Sequence, residues 1–314
     1  MVSGPYRGNF RFAYYRAALG PVDRRTQLQQ SVRDALYGSD SIDTGRVVNL
    51  LELSHGDTIL DDMRADTWLL LLGLRPSHRP LWDFVAAQQR QRYEDLLEVS
   101  PALAPSGSTV ISPVECAIHV HHVVDCVVAV DRRAIVFKAA ILSMLLSIFP
   151  NEEDASVFFM YLALSGNHAM LPRGLAYATR NGNVTGVTLD DDVTGPVLAA
   201  TAVYDPDMGR CLAGDPNLVR VLSSWVLSLF VIAGLSGSLL PVWERVFLLR
   251  HGQGFLVAFS VALLHSARDA ILTSSDVVYG SSLLRDNPAG EVFAKALEIE
   301  LILLQRSRSA SIEA

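Results

Sequence analysis

From Val221 to Trp243 the chain carries no charged residue, and an uncharged run of 23 residues has two uses. It crosses a bilayer, which takes about 20 consecutive apolar residues, or it lies inside a large protein core. Ser223-Ser224, Gly234-Leu-Ser-Gly-Ser238 and Pro241 interrupt this run. A Gly/Ser cluster is turn chemistry, so the run reads as two helices of about ten residues each joined by a turn. Apolar all round, such helices belong at the centre of a helical protein, and no membrane span is expected.

The composition fits such a core. Half of the 314 residues are hydrophobic and only 19% are charged, which argues for one large domain and against wholesale disorder. The net charge of −7 lacks the clustered Lys and Arg that hold a phosphate backbone, so no nucleic-acid partner is expected. Cys116, Cys126 and Cys211 are odd in number and irregularly spaced, the usage of a reducing compartment. The N-terminal residues show no apolar signal region, and a cytoplasmic location follows as the expectation.

Helical periods dominate the rest. Helices are predicted over Arg25–Tyr37, Asp43–Leu53, Asp66–Leu72, Leu81–Val99, Ala134–Phe149 and from the Asn151-Glu-Glu-Asp154 cap through Leu164. Gly73 with Pro76 beyond it is a helix stop. Val114–Val130 is rich in β-branched residues but does not alternate, and helix is the marginal choice. Asn181-Gly-Asn-Val-Thr-Gly186 reads as an exposed loop. Further helices are expected from Asp215 through Trp225, over Gly252–Ser266, Ser274–Leu284 and Ala289–Ser307. Residues 1–24 read as a lead-in, 25–307 as a single all-α domain and 308–314 as a disordered tail.

Few residues offer chemistry. Cys116, His119, His121, His122, Asp125 and Cys126 are metal-ligand types, but all lie in one segment with no second donor pair, so no metal is assigned. A Cys–His nucleophile there lacks an orienting third group. Asp190-Asp-Asp192 reads as a solvated loop run and Glu152-Glu-Asp154 as helix capping, not as acid/base pairs. Gly252 and Gly254 neither follow a strand nor precede Lys-Ser/Thr, so they imply no phosphate cradle, and no cofactor is expected. Val157–Leu164 is apolar on every face. It is either fully buried or offers Phe158, Phe159, Tyr161 and Leu162 to a partner helix, and the two readings weigh equally.

Two segments frame the chain. Arg64-Ala-Asp-Thr-Trp68-Leu-Leu-Leu-Leu-Gly73-Leu74 stands near the front. Leu239-Leu-Pro-Val-Trp243-Glu-Arg-Val246, followed by Gly252-Gln-Gly-Phe255 and an apolar run to Leu264, stands near the back. They resemble the opening and closing signatures of the TBC domain family, an all-helical module whose active members accelerate GTP hydrolysis by Rab GTPases. Active members carry an Arg in Ile-x-x-Asp-x-x-Arg and a Gln in Tyr-x-Gln between the signatures. Here no Gln occurs between Gln91 and Gln253, and three residues after Asp125 and Asp131 stand Val128 and Ala134.

Asn9-Phe-Arg-Phe-Ala-Tyr-Tyr15, Gln91-Arg-Tyr93-x-Asp95-Leu96-Leu97, Trp225 and Asn287-Pro-Ala289 extend the match from about Asn9 to Leu304. In order and spacing they resemble the branch of the family that supplies the small third subunit of the tuberous sclerosis complex. That resemblance implies a TBC fold without the catalytic pair and a scaffold role. It implies binding to the coiled coil of a hamartin-like protein and an indirect link to tuberin and the GTPase Rheb. It also implies restraint of TOR signalling and recruitment of the complex to lysosomal or endomembrane surfaces. An active GTPase-activating protein for Rab GTPases, using Arg132 or Arg133 from an irregular loop, is the alternative.

Overall fold

The computed structural model describes residues 24–53, 59, 61–103, 113, 114, 117, 132–166, 189–213, 222, 225, 226, 229–231, 239–248, 252–273 and 289–313. The described elements run in chain order as α1 (Arg24–Tyr37), α2 (Thr44–Glu52), α3 (Asp61–Leu71), a 3₁₀ turn (Arg79–Leu81), α4 (Trp82–Leu103), α5 (Arg132–Ile148) and α6 (Asp154–Gly166). There follow α7 (Leu189–Tyr204), α8 (Pro206–Leu212), α9 (Leu239–Trp243), a π turn (Glu244–Leu248), α10 (Gly252–Ser266), α11 (Arg268–Thr273) and α12 (Ala289–Glu313). Among the described residues there is no strand, only an isolated bridge between Ser41 and His78.

Local chemistry sets the ends of these helices. Asp43 caps α2 by accepting the Arg46 amide at 3.0 Å. Asp61 and Asp62 put negative charge at the positive end of α3. That helix begins five residues earlier than the apolar pattern suggested, because its first turn is acidic and not apolar. It stops at Gly73, whose φ of 75° is left-handed; there the Leu74 amide returns to the Leu69 carbonyl at 2.8 Å. Asp205 caps α8 through the Met208 amide, with Pro206 pre-set in the first turn.

Two expectations are corrected. Asp190-Asp-Asp192 is not a loop run: it lies in the opening turn of α7. The last helix does not end at Ser307 but continues to Glu313, so residues 308–313 are helical and not a tail. The readings of residues 1–23, of the Asn181–Gly186 loop and of the Ser274–Leu284 helix fall outside the described residues, as does nearly all of Val114–Val130.

One continuous core runs through the chain. α10 carries Phe255, Leu256, Ala258, Phe259, Val261, Ala262, Leu263 and Leu264, all buried, and packs most extensively on α12 through Val292, Ala296 and Ile299. α7 closes another side of α10, α6 lies against both α4 and α5, and α8 against α11. The uncharged run breaks ahead of the expected turn: Leu229 and Phe230 take left-handed φ values of 50° and 65°, and a helix stands at Leu239–Trp243, while Gly234–Ser238 lie outside the described residues. Among the described residues no helix is long and apolar enough to cross a membrane.

Candidate functional site

The two framing segments meet in space. On α3, Arg64, Thr67 and Trp68 follow at i, i+3 and i+4, one face of a helix, and all three are buried. The turn from α9 into the π segment delivers Trp243 and Glu244 to the same place, both also buried. The Trp68 and Trp243 rings lie 6.4 Å apart at a 43° tilt, and Phe149, just past the end of α5, stands edge-on to Trp68 at 5.3 Å. The Trp243 indole donates to the Leu229 carbonyl at 2.9 Å, which holds the strained left-handed pair Leu229-Phe230 in place.

Charge is built into this apolar junction. Arg64 Nε donates to Glu244 Oε1 at 3.3 Å, across 180 residues of sequence. Arg64 Nη2 donates to the Ile59 carbonyl at 2.7 Å, and Nη1 pairs with the Asp61 carboxylate. Burial pushes the Glu244 carboxyl up to about 7, against the pull of Arg64, the Ile59 amide and the Trp68 indole toward the charged form. The next residue, Arg245, donates to Glu300 of α12 at 2.8 Å and lies over the Phe255 ring at 5.2 Å. The signature residues thus form a structural junction, in which Arg64 and Glu244 pair across the two segments.

The residues expected to face a partner are placed otherwise. Phe158, Phe159 and Tyr161 are buried and Leu162 is half-buried. Phe158 packs edge-on to Phe159 at 5.1 Å and against Tyr93 of α4 at 5.5 Å, while the Arg92 guanidinium lies 5.8 Å from the Phe159 ring centre. Between α4 and α5, Phe158, Phe159 and Tyr161 belong to the core, and of the four residues only Leu162 keeps partial exposure. Exposed apolar side chains lie elsewhere, at Leu81 and Phe84 where α4 begins and at Leu301 and Leu304 on α12.

Arg132 and Arg133 open α5 and do not stand in an irregular loop. Asp125, Val128 and Asp131 lie outside the described residues, as does the Cys116–Cys126 cluster. Cys211 is exposed. Among the ion pairs that escaped the sequence reading are Arg64–Glu244, Arg245–Glu300 and Arg268–Asp205. One signal could have exposed the first two. Glu244-Arg245 is a pair of opposite charges ending a long uncharged run, where an unpaired charge would be expensive to bury.

No protein-family model matches the chain, and no curated protein matches it in sequence. Among solved structures, the crystal structure of the Ypt/Rab-GAP domain of Gyp1p aligns with a TM-score of 0.67 at 12% identity, over 89% of this chain and 98% of that domain. At that identity the likeness is one of fold. The chain has the all-α TBC fold of a Rab-GAP domain, closed by the Trp68–Trp243 junction.

Proposed function

We propose that this chain is a non-catalytic scaffold or regulatory subunit that uses a TBC fold to bind a helical partner. One combination carries the reading: the backbone frame is that of a Ypt/Rab-GAP domain, yet the sequence contains no Gln between Gln91 and Gln253. A GTPase-activating protein must place charge or a positioning side chain against the transferring phosphoryl group. A frame without that group can hold a GTPase, or join an assembly, without speeding hydrolysis. The order of motifs resembles TBC domain family member 7, which suggests a coiled-coil partner of the hamartin type and membership of a complex acting on Rheb and TOR signalling. Affinity capture of the full chain from native lysate tests this. A large coiled-coil protein together with a protein carrying a GTPase-activating domain supports the scaffold reading; a lone small GTPase counts against it.

A second reading, an active Rab GTPase-activating protein, is favoured by the same structural likeness and by Arg132-Arg133 at the start of α5. GTP turnover separates the two.

A further inference from the structure

Glu244 and Arg245 are neighbours in the chain, yet each is tied to a different part of the fold. Glu244 meets Arg64 of α3, and Arg245 meets Glu300 of α12. Both belong to the π turn, a rare backbone form that recurs as single turns at functional positions. Buried ion pairs therefore hold this turn from two sides.

The two pairs are not equivalent. Arg245 and Glu300 approach to 2.8 Å, whereas Arg64 Nε stands 3.3 Å from Glu244. Arg64 also serves the Ile59 carbonyl and the Asp61 carboxylate, so neutralising Glu244 leaves it two acceptors, one of them anionic. Keeping Glu244 ionised leaves a carboxylate buried in apolar surroundings; the Ile59 amide, the Trp68 indole and a long contact to a shared guanidinium offset that burial only in part. The charged groups around it are Arg64 on α3, with Asp61 behind it, and Arg245 on its own turn, which is engaged by Glu300 of α12. The one ionisable side chain of α10, His265, packs on Tyr204 instead.

We propose that Glu244 is a proton-operated clasp between the front and the back of the fold. With its carboxyl neutral the Trp68–Trp243 junction is closed, and ionisation of Glu244 loosens it. The rise of its folded-state pKa to about 7 agrees with this geometry. A raised carboxyl contributes stability that is fully present below the ordinary value of about 4.3 and is lost as pH climbs through about 7.

The test uses the full chain and a Glu244→Gln variant, with denaturant midpoints read from pH 5 to pH 8.5. Glutamine mimics the neutral carboxyl, so the two proteins should differ least near pH 5. The wild type should then fall behind by at least tenfold in its unfolding equilibrium constant at pH 8.5. Parallel profiles would overturn the proposal. A second measurement needs no variant: exchange of the Trp243 indole proton, corrected for its intrinsic pH dependence, at pH 5.5 and pH 8.5. Protection should drop at the higher pH, and equal protection at both would overturn the clasp even if the variant fails to fold.

Discussion

Gly209 of α8 is set so closely against Ala202 of α7 that a β-carbon built on it would lie 2.5 Å from the Ala202 α-carbon. The obstructing atoms are mostly backbone, so nothing flexible can give way. α7 and α8 turn sharply around Asp205, and this contact is what lets them close. Gly209→Ala should therefore destabilise the chain by about 1–3 kcal/mol despite alanine's better helix propensity. Gly254→Ala is the control: it is also helical, with nothing within 4 Å of its added methyl, and should gain about 0.5 kcal/mol. Urea midpoints of the two variants decide the matter, and equal shifts would refute the close-packing account.

Arg245 and Glu300 make the second prediction. Their side chains are 20% and 6% exposed, so neither can recover water if the other is removed. Glu300→Leu alone leaves a buried guanidinium beside Phe255 and should destabilise by about 3–5 kcal/mol. Replacing both, as Arg245→Met with Glu300→Leu, should return most of that loss, because the pair's attraction is offset by its desolvation. A double variant no more stable than Glu300→Leu would mean that the pair itself stabilises strongly.

Much of the architecture could be read from the chain because it rests on local rules. Gly252–Ser266 came out at its structural bounds because the stretch is apolar from Phe255 to Leu264 between polar ends. Gly73 stops α3 as its lack of a side chain predicts. The fold followed from Arg64–Gly73 and Leu239–Val246 as signature segments, while their joining through Arg64–Glu244 was not legible. Sequence carries no information on which of 33 acidic residues meets a given arginine across 180 positions. The Phe158–Leu162 segment shows the same limit from the other side. A run apolar on every face does not say whether its neighbour is the chain's own α4 and α5 or another protein.

Asp205 couples stability to acid. Arg268 Nε donates to its carboxylate at 2.5 Å and holds its pKa below the ordinary carboxylate value, with further help from the Met208 amide and partial opposition from burial. A depressed carboxylate contributes stability present above its unfolded-state value of about 3.9 and lost as pH falls through the lower folded value. Asp205→Asn can still cap α8 through its side-chain oxygen but does not titrate. The wild type should exceed Asp205→Asn in denaturant midpoint at pH 6, and the gap should shrink steadily below pH 4. A gap that stays constant down to pH 2.5 would remove the ion pair as its cause.

The last prediction concerns catalysis. An arginine supplied in trans to a GTPase accelerates hydrolysis by about 10³–10⁵-fold, because it meets charge that develops on the phosphates. Arg132 and Arg133 occupy the first turn of α5, and no Gln stands between Gln91 and Gln253 to position the attacking water. The wild-type chain, mixed in equimolar amounts with GTP-loaded Rab GTPases, should therefore leave single-turnover hydrolysis within a few-fold of its intrinsic rate. Arg132→Ala/Arg133→Ala should change nothing further. Acceleration of a thousandfold or more by the wild type, abolished in that double variant, would make one of these arginines a working finger and the chain an enzyme. Binding of the same Rab proteins without acceleration would instead place the chain among the holders of GTPases, with its fold retained and its phosphate chemistry gone.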